Sequence, residues 1–315
     1  MKWLKSILAA GIVGFLCWYL ARYWGELKVL VKFRASELVI LFLLCFLVAA
    51  LNARIIKNML KVLGVRTRFW EMAWLEHAAQ LLNYAPMKFG TLFRAHYLKR
   101  HFEFDYSSFA ACFAYMTFLM VGSACGLGLA ALSIGLGFGA YESRVLGLVL
   151  GVLTAGSIAM LIIPIKEPVG NGRFSRWLRM FLSGRGQLGR ARIDQVLSTS
   201  LMILNFIVGA LRIGIIYKNL NVDVDLAGYF ILGSLGYVSL FVGFTPGSLG
   251  IREVVLSFGA VVLGIPLEVG VLAAMIDRVV VMVYIFSAGG MCTLYLWHKS
   301  PADFKETKAV AGEPV

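Results

Sequence analysis

The stretch GFTPGSLGIRE, residues 243–253, interrupts a run of apolar residues that extends from Leu226 to Gly264. Proline cannot continue the hydrogen-bond ladder of a helix, and it pushes the preceding residue out of helical geometry. The stretch therefore predicts two helices joined by a polar break at residues 245–248. Non-helical backbone at membrane depth is tolerated only where protein or a water-filled cavity satisfies it, so the break indicates an internal site.

An earlier region, from Trp70 to Lys99, carries a second break of the same kind at residues 83–86, NYAP. In both regions a glycine follows the proline by four residues, and an arginine, Arg94 or Arg252, follows the glycine. The shared spacing predicts two corresponding broken or re-entrant hairpins; the alternative is two ordinary pairs of full spans. The residues assigned to the breaks are Pro86, Gly90, Pro246, Gly247 and Gly250.

The composition places the rest of the chain in lipid. Of 315 residues, 60% are hydrophobic and only 15% are charged, and the mean hydropathy is +0.81. A soluble globule so poor in polar residues could not cover its own core. Six further runs are long enough to cross a bilayer: residues 4–21, 37–58, 107–137, 145–165, 195–217 and 267–297. The predicted fold is an all-α polytopic membrane protein, with six full spans and two hairpins in an inverted-repeat arrangement.

The positive charges set the predicted orientation. With both termini in the cytoplasm, 21 of the 30 lysines and arginines lie inside, 6 outside and 3 within apolar runs, as the positive-inside rule requires. The first hairpin then enters from the cytoplasm and the second from outside, so the two breaks approach each other near the midplane. We expect a multi-pass protein of the inner or plasma membrane, and the net charge of +13 suggests anionic lipid rather than nucleic acid as its partner.

The predicted domain covers residues 1–298, with halves 1–165 and 195–298 and a cytoplasmic tail at 299–315. The basic, glycine-rich connection 166–194 is interpreted as cytoplasmic. It could lie on anionic lipid, or it could be a solvated flexible loop.

Ionisable side chains within spans are costly and therefore indicate function. The predicted headgroup-binding residues are Asn83, Lys88, Arg94, Arg252, Glu253, Asp277 and Arg278, with Glu76 and Arg212 as candidates for coupling. Guanidinium groups beside a helix N-terminus suit a lipid phosphate. Asp277 is expected to pair with Arg252 or Arg212, and Arg278 with Glu253; in the alternative, Arg252 pairs with Glu253 or Asp277 and only pins helices together. No metal-ligand spacing or catalytic motif is found, so we expect no cofactor and favour a non-enzyme.

These motifs resemble a known family. Residues 243–253, LGIP at 263–266 and Asp277-Arg278 resemble the C-terminal signature of the flippase-like membrane domain of lysyl-phosphatidylglycerol synthases and its stand-alone relatives. The pattern NxxPxxxGxxxRxxxL, from Asn83 to Leu98, looks like the first signature of that family, with Thr91 where glutamate is usual. The family's aminoacyl-transferase domain would follow the spans; because the chain stops soon after Trp297, aminoacyl-lipid synthesis is not expected.

The resemblance implies translocation of a phospholipid or lipid-linked headgroup between leaflets as the leading activity. Its partners would be anionic or phosphate-bearing membrane lipids, with a homo-oligomer or an envelope-biosynthesis protein as a further partner. Two alternatives stay open. A lipid-modifying enzyme would produce a new lipid species, and an accessory subunit of a glycolipid or envelope pathway would co-purify with its partner.

Overall fold

The computed structural model describes residues 33–84, 89–135, 137, 139–163, 172–242 and 250–298. Within these ranges every regular element is a helix, which confirms the all-α prediction. The helices are α1 (Ala35–Val62), α2 (Phe69–Leu82), α3 (Phe89–Phe102), α4 (Tyr106–Gly135), α5 (Tyr141–Ile162), α6 (Arg173–Arg190), α7 (Arg192–Asn219), α8 (Leu226–Val242), α9 (Ile251–Val262) and α10 (Leu267–His298).

Five of the described helices are long and apolar enough to cross a membrane, namely α1, α4, α5, α7 and α10. They coincide with five of the six predicted spans, while the first, at residues 4–21, lies outside the described residues. Large apolar side chains cover the outer surface: α5 alone exposes Leu148, Val152 and Ile162. Because water would not favour such a surface, lipid must surround it, and the chain is a polytopic membrane protein.

Each of the two interrupted regions forms a pair of shorter helices, as predicted. Helix α2 ends at Leu82 and α3 begins at Phe89, while α8 ends at Val242 and α9 begins at Ile251. Helices α2 and α3 have 14 residues each, or about 21 Å at 1.5 Å per residue, which is short of the roughly 30 Å hydrocarbon core. The first region is therefore not a pair of full spans. Pro86, Lys88, Pro246 and Gly247 lie outside the described residues.

Contacts between the end of α2 and the start of α3 hold the two helices of the first hairpin together. The backbone N–H of Thr91 donates to Asn83 Oδ1 at 3.2 Å. A Cβ added to Gly90 would lie 1.8 Å from the carbonyl oxygen of Ala79. Only glycine lets the start of α3 approach α2 this closely, which gives the predicted break glycine a structural reason.

The long helices and hairpins of the two halves pack reciprocally. Helix α1 packs against α7, α4 against the first arm of the second hairpin (α8), and α10 against the first arm of the first hairpin (α2). In each half a 28-residue helix is followed by a hairpin and then by a helix of 30 or 32 residues. A long helix of each half therefore packs on the hairpin of the other half, as expected for two structurally related halves.

The basic connection contains a helix, which corrects part of its interpretation. Residues 173–190 form α6, so the flexible-loop alternative is wrong for that part. Leu188 of α6 is buried in a cluster with Met59, Tyr115 and Met202. Apolar residues that recur at helical spacing among the arginines bury one face of α6 and leave the other polar.

Candidate functional site

Five charged side chains from α7, α9 and α10 form what we call the central charge cluster: Arg212, Arg252, Glu253, Asp277 and Arg278. Its middle is Asp277, which is only 1% exposed. Arg212 donates from Nε to Oδ1 at 2.8 Å and from Nη2 to Oδ2 at 3.4 Å. Arg252 donates from Nη2 to Oδ2 at 2.7 Å. One carboxylate therefore holds two guanidinium groups, where the sequence predicts a pair with Arg252 or Arg212. The Arg252 contact is also the one that the helix-pinning alternative predicts.

The two arginines also tie Asp277 to other helices. Arg252 Nη1 donates to the carbonyl oxygen of Gly236, on α8, at 3.1 Å. Arg212 Nη1 lies 3.6 Å from Sγ of Cys45, on α1. The cluster thus joins α1, α7, α8, α9 and α10 deep within the bundle.

Glu253 and Arg278 form the second ion pair of the cluster. Arg278 Nε lies 2.6 Å from Glu253 Oε1. The other oxygen, Oε2, accepts the backbone N–H of Gly250 at 2.9 Å, which satisfies one of the free donors that precede α9. Gly250 has φ of 83°, a conformation that glycine adopts without strain. Since Asp277 and Arg278 are adjacent on α10, they point in different directions and bind different partners.

The first hairpin holds a separate pair, Glu76 on α2 and Arg94 on α3. Arg94 Nη2 lies 2.9 Å from Glu76 Oε2, with side chains 7% and 4% exposed. The contact has ion-pair distance without hydrogen-bond geometry, and Arg94 Nε lacks a hydrogen-bond partner among the described residues. Gln80 Nε2 donates to the other oxygen of Glu76 at 3.0 Å. The Nε–H of Arg94 is therefore a buried donor that its ion pair with Glu76 does not satisfy.

Residues at or beside the two breaks meet on α10. Tyr84 is the second residue of the first break, and its ring contacts that of Phe286, with centroids 5.3 Å apart. The described ends of both breaks therefore contact α10, Tyr84 through Phe286 and Arg252 through Asp277.

The structure brings together Arg252, Glu253, Asp277, Arg278 and Arg212 from the predicted set. It does not bring Arg94 into that cluster, because Glu76 of its own hairpin holds the Arg94 guanidinium. Asn83 closes the hairpin through Thr91, and Lys88 is outside the described residues. The action of these residues on a lipid headgroup stays a prediction.

A polar network beside the cluster was not expected from the sequence. The amide of Asn205, on α7, donates to the carbonyl oxygen of Val48 at 3.0 Å and to Asn52 Oδ1 at 3.1 Å. The Tyr237 hydroxyl of α8 donates to the Asn205 side-chain oxygen. A signal was available, since an asparagine within an apolar span needs a buried partner.

A second such contact joins α2 to α10. His77 Nε2 lies 2.6 Å from the Tyr284 hydroxyl, and Nδ1 lies 2.7 Å from the carbonyl oxygen of Ala73. Both ring nitrogens are thus engaged within the protein. Across the described ranges, no three histidine, cysteine, aspartate or glutamate side chains are grouped so that they could hold a metal ion.

Comparison with known proteins gives one match. A family model described as lysylphosphatidylglycerol synthase TM region matches residues 3–289. No curated protein matches the chain, and no solved structure matches it. The match covers both hairpins and the central charge cluster.

Proposed function

Since this chain belongs to the lysylphosphatidylglycerol synthase TM-region family, we propose that it is a lipid translocase. It would move a phospholipid or lipid-linked headgroup between the leaflets of a bacterial-type inner membrane, with both termini in the cytoplasm. The family match supports a membrane role related to lipids. The translocation itself is our proposal, and it rests on the central charge cluster.

The observation that carries the proposal is the charge balance of that cluster. Its five side chains comprise three guanidinium groups and two carboxylates, which leaves one formal positive charge among residues whose exposed side-chain fraction is at most 15%. A net positive charge on the five side chains of the cluster is costly in a bundle surrounded by lipid. A lipid phosphate would neutralise it, because guanidinium forks bind phosphate oxygens with paired hydrogen bonds.

The position of Arg252 makes it the residue that would engage the headgroup. It lies in the first turn of α9, where free N–H groups and the helix dipole favour an anion. It also lies four residues after the end of the second break, while Tyr84 of the first break contacts α10 through Phe286. When a phosphate arrives, Arg252 can turn from Asp277 to the ligand, because Arg212 still neutralises the Asp277 carboxylate through two contacts.

The first hairpin would supply a second contact. Arg94 keeps a buried donor at Nε that is without a hydrogen-bond partner among the described residues. Its ion pair with Glu76 would hold the guanidinium in place until a headgroup passes. In this scheme Asp277 and Glu76 position the arginines, and the arginines touch the lipid.

Reconstitution tests the proposal directly. The full chain is inserted into vesicles that contain fluorescent phosphatidylglycerol, and exchange between leaflets is measured by adding an impermeant quencher. We expect Arg252→Gln to slow the exchange about tenfold or more, the effect of losing one charge-assisted hydrogen bond to the passing phosphate. Arg144→Gln is the matched control, because it removes an exposed arginine outside the cluster.

Each outcome of these measurements decides one part of the proposal. If wild-type vesicles exchange lipid no faster than empty vesicles, translocation is wrong. If Arg252→Gln is folded and as fast as the wild type, the assignment of the central charge cluster is wrong. If mass spectrometry of lipids from cells that contain the protein shows a new lipid species, the protein is a lipid-modifying enzyme instead.

A further inference from the structure

The surface between α6, the end of α1 and the start of α4 contains an open cavity of about 430 Å³, which we call the α6 groove. Its polar lining consists of Ser108, Arg179, Ser183 and Gln187, and its apolar lining includes Leu63 and Met180. None of these residues belongs to the central charge cluster. The α6 groove is therefore a separate feature from the proposed translocation site.

Helix α6, which forms one wall of the α6 groove, packs closely against the rest of the bundle. A Cβ added to Gly184 would lie 3.2 Å from Ala111 Cβ, so α6 and α4 are in close contact at that point. Arg185 Nη2 donates to the carbonyl oxygen of Ile163, at the end of α5, at 2.7 Å. These contacts fix α6 against the bundle and so fix which of its side chains line the groove.

The polar residues of α6 share one face of the helix. Arg179, Ser183 and Gln187 are spaced four residues apart, so they form a row along the groove. Arg179 has no ion-pair partner among the described residues, and α6 carries five arginines and no acidic residue. The row has one guanidinium without an ion-pair partner in the described part of the chain and two neutral hydrogen-bonding groups, beside apolar Leu63 and Met180. It matches a phospholipid, whose phosphate is joined through glycerol to acyl chains.

From this juxtaposition we propose that the α6 groove binds the headgroup of an anionic phospholipid. The Arg179 guanidinium binds the phosphate, Ser183 and Gln187 donate hydrogen bonds to headgroup oxygens, and the first acyl carbons lie on Leu63 and Met180. The positive charge of α6 favours an anionic over a zwitterionic lipid. The site would anchor α6 at the membrane surface, whatever lipid the central charge cluster handles.

Native mass spectrometry of the full chain in a neutral detergent tests this site. The probes are phosphatidylglycerol and phosphatidylcholine with identical acyl chains. We expect the wild type to prefer phosphatidylglycerol, and Arg179→Gln to weaken its binding about tenfold through loss of the charged hydrogen bonds. Arg190→Gln, which removes an exposed arginine of α6 outside the groove, should change binding less than about twofold, because salt screens distant exposed charges.

Two further variants distinguish binding in the α6 groove from general charge attraction and from binding at the central charge cluster. Ser183→Leu fills the groove without changing charge and should also weaken binding of phosphatidylglycerol. The same measurements in a background that carries Arg252→Gln and Arg94→Gln remove both arginines that are proposed to contact the translocated lipid, so the two proposals can fail independently. Equal binding of both lipids, or equal losses in Arg179→Gln and Arg190→Gln, would overturn the proposal. Thermal unfolding confirms that each variant is folded.

Discussion

At the scale of single residues, lipid forces every buried charge to find a partner. Asp277, Arg212 and Arg252 could be expected to pair from the sequence, because an unpaired charge within a span is too costly to persist. The pair of Glu76 and Arg94 was not anticipated. Their contact depends on how the chain turns between Asn83 and Gly90, and side-chain chemistry alone does not specify that turn. The pairing of buried charges can thus be predicted from the sequence more reliably than the shape of the hairpin in which a pair forms.

Replacing Asp277 by asparagine should strongly destabilise the protein. The change leaves the Arg212 and Arg252 guanidinium groups buried without their shared counter-ion, and breaking a buried pair in this way costs about 3–5 kcal/mol. Unfolding of the purified protein in detergent measures the loss. Glu268→Gln, at an exposed position on the same helix, should shift the unfolding free energy by less than about 0.5 kcal/mol. Equal stability of Asp277→Asn and wild type would show that the carboxylate is not needed to balance these arginines.

At the scale of helices, hydropathy predicts the spans because the hydrocarbon core sets their length. Hydropathy does not predict α6, because its many arginines and glycines give it the composition of a loop. Its apolar residues nevertheless recur at helical spacing. The glycines of the spans have a clear role in packing. A Cβ on Gly128 would lie 2.3 Å from Ser234 Oγ, and one on Gly289 would lie 2.8 Å from the carbonyl oxygen of His77. Small residues therefore stand where α4 meets α8 and where α10 meets α2.

The first hairpin should not tolerate a side chain at Gly90. In Gly90→Ala the new methyl group would meet the Ala79 carbonyl at 1.8 Å and Asn83 Oδ1 at 2.7 Å, so α3 must move away from α2. Overpacking of this kind costs about 1–3 kcal/mol. We expect a lower unfolding temperature, measured on the purified protein in detergent.

Gly156→Ala is the matched control for that variant. Its Cβ would meet nothing within 4 Å, and Gly156 lies on the exposed side of α5. The unfolding temperature should therefore stay the same or rise slightly, because alanine favours a helix more than glycine does. If both variants unfold alike, close approach at Gly90 is not what holds α2 and α3 together.

At the scale of the whole molecule, the two halves hold each other's hairpins. Helix α10 touches α2 of the first hairpin and α9 of the second, and it also carries Asp277 and Arg278. A small movement of α10 relative to α9 would therefore change the contacts of the central charge cluster, and it would also change how α10 packs on α2. Packing of this kind suits a translocator that alternates between two arrangements around a fixed site.

The predicted orientation of this assembly can be tested with two matched cysteine variants. Asp105, between α3 and α4, lies on the predicted cytoplasmic side, and Asp223, between α7 and α8, on the outer side; both are exposed. In a background without the five native cysteines, an impermeant maleimide added to intact cells should label Asp223→Cys at once. Asp105→Cys should react only after the membrane is opened, because the basic segments keep that side in the cytoplasm. The reverse pattern would mean that the molecule is inserted the other way round. Labelling of both positions in intact cells would mean that α4, α5 and α7 do not together make the three crossings that separate them, which is incompatible with five spans in the order α1, α4, α5, α7 and α10.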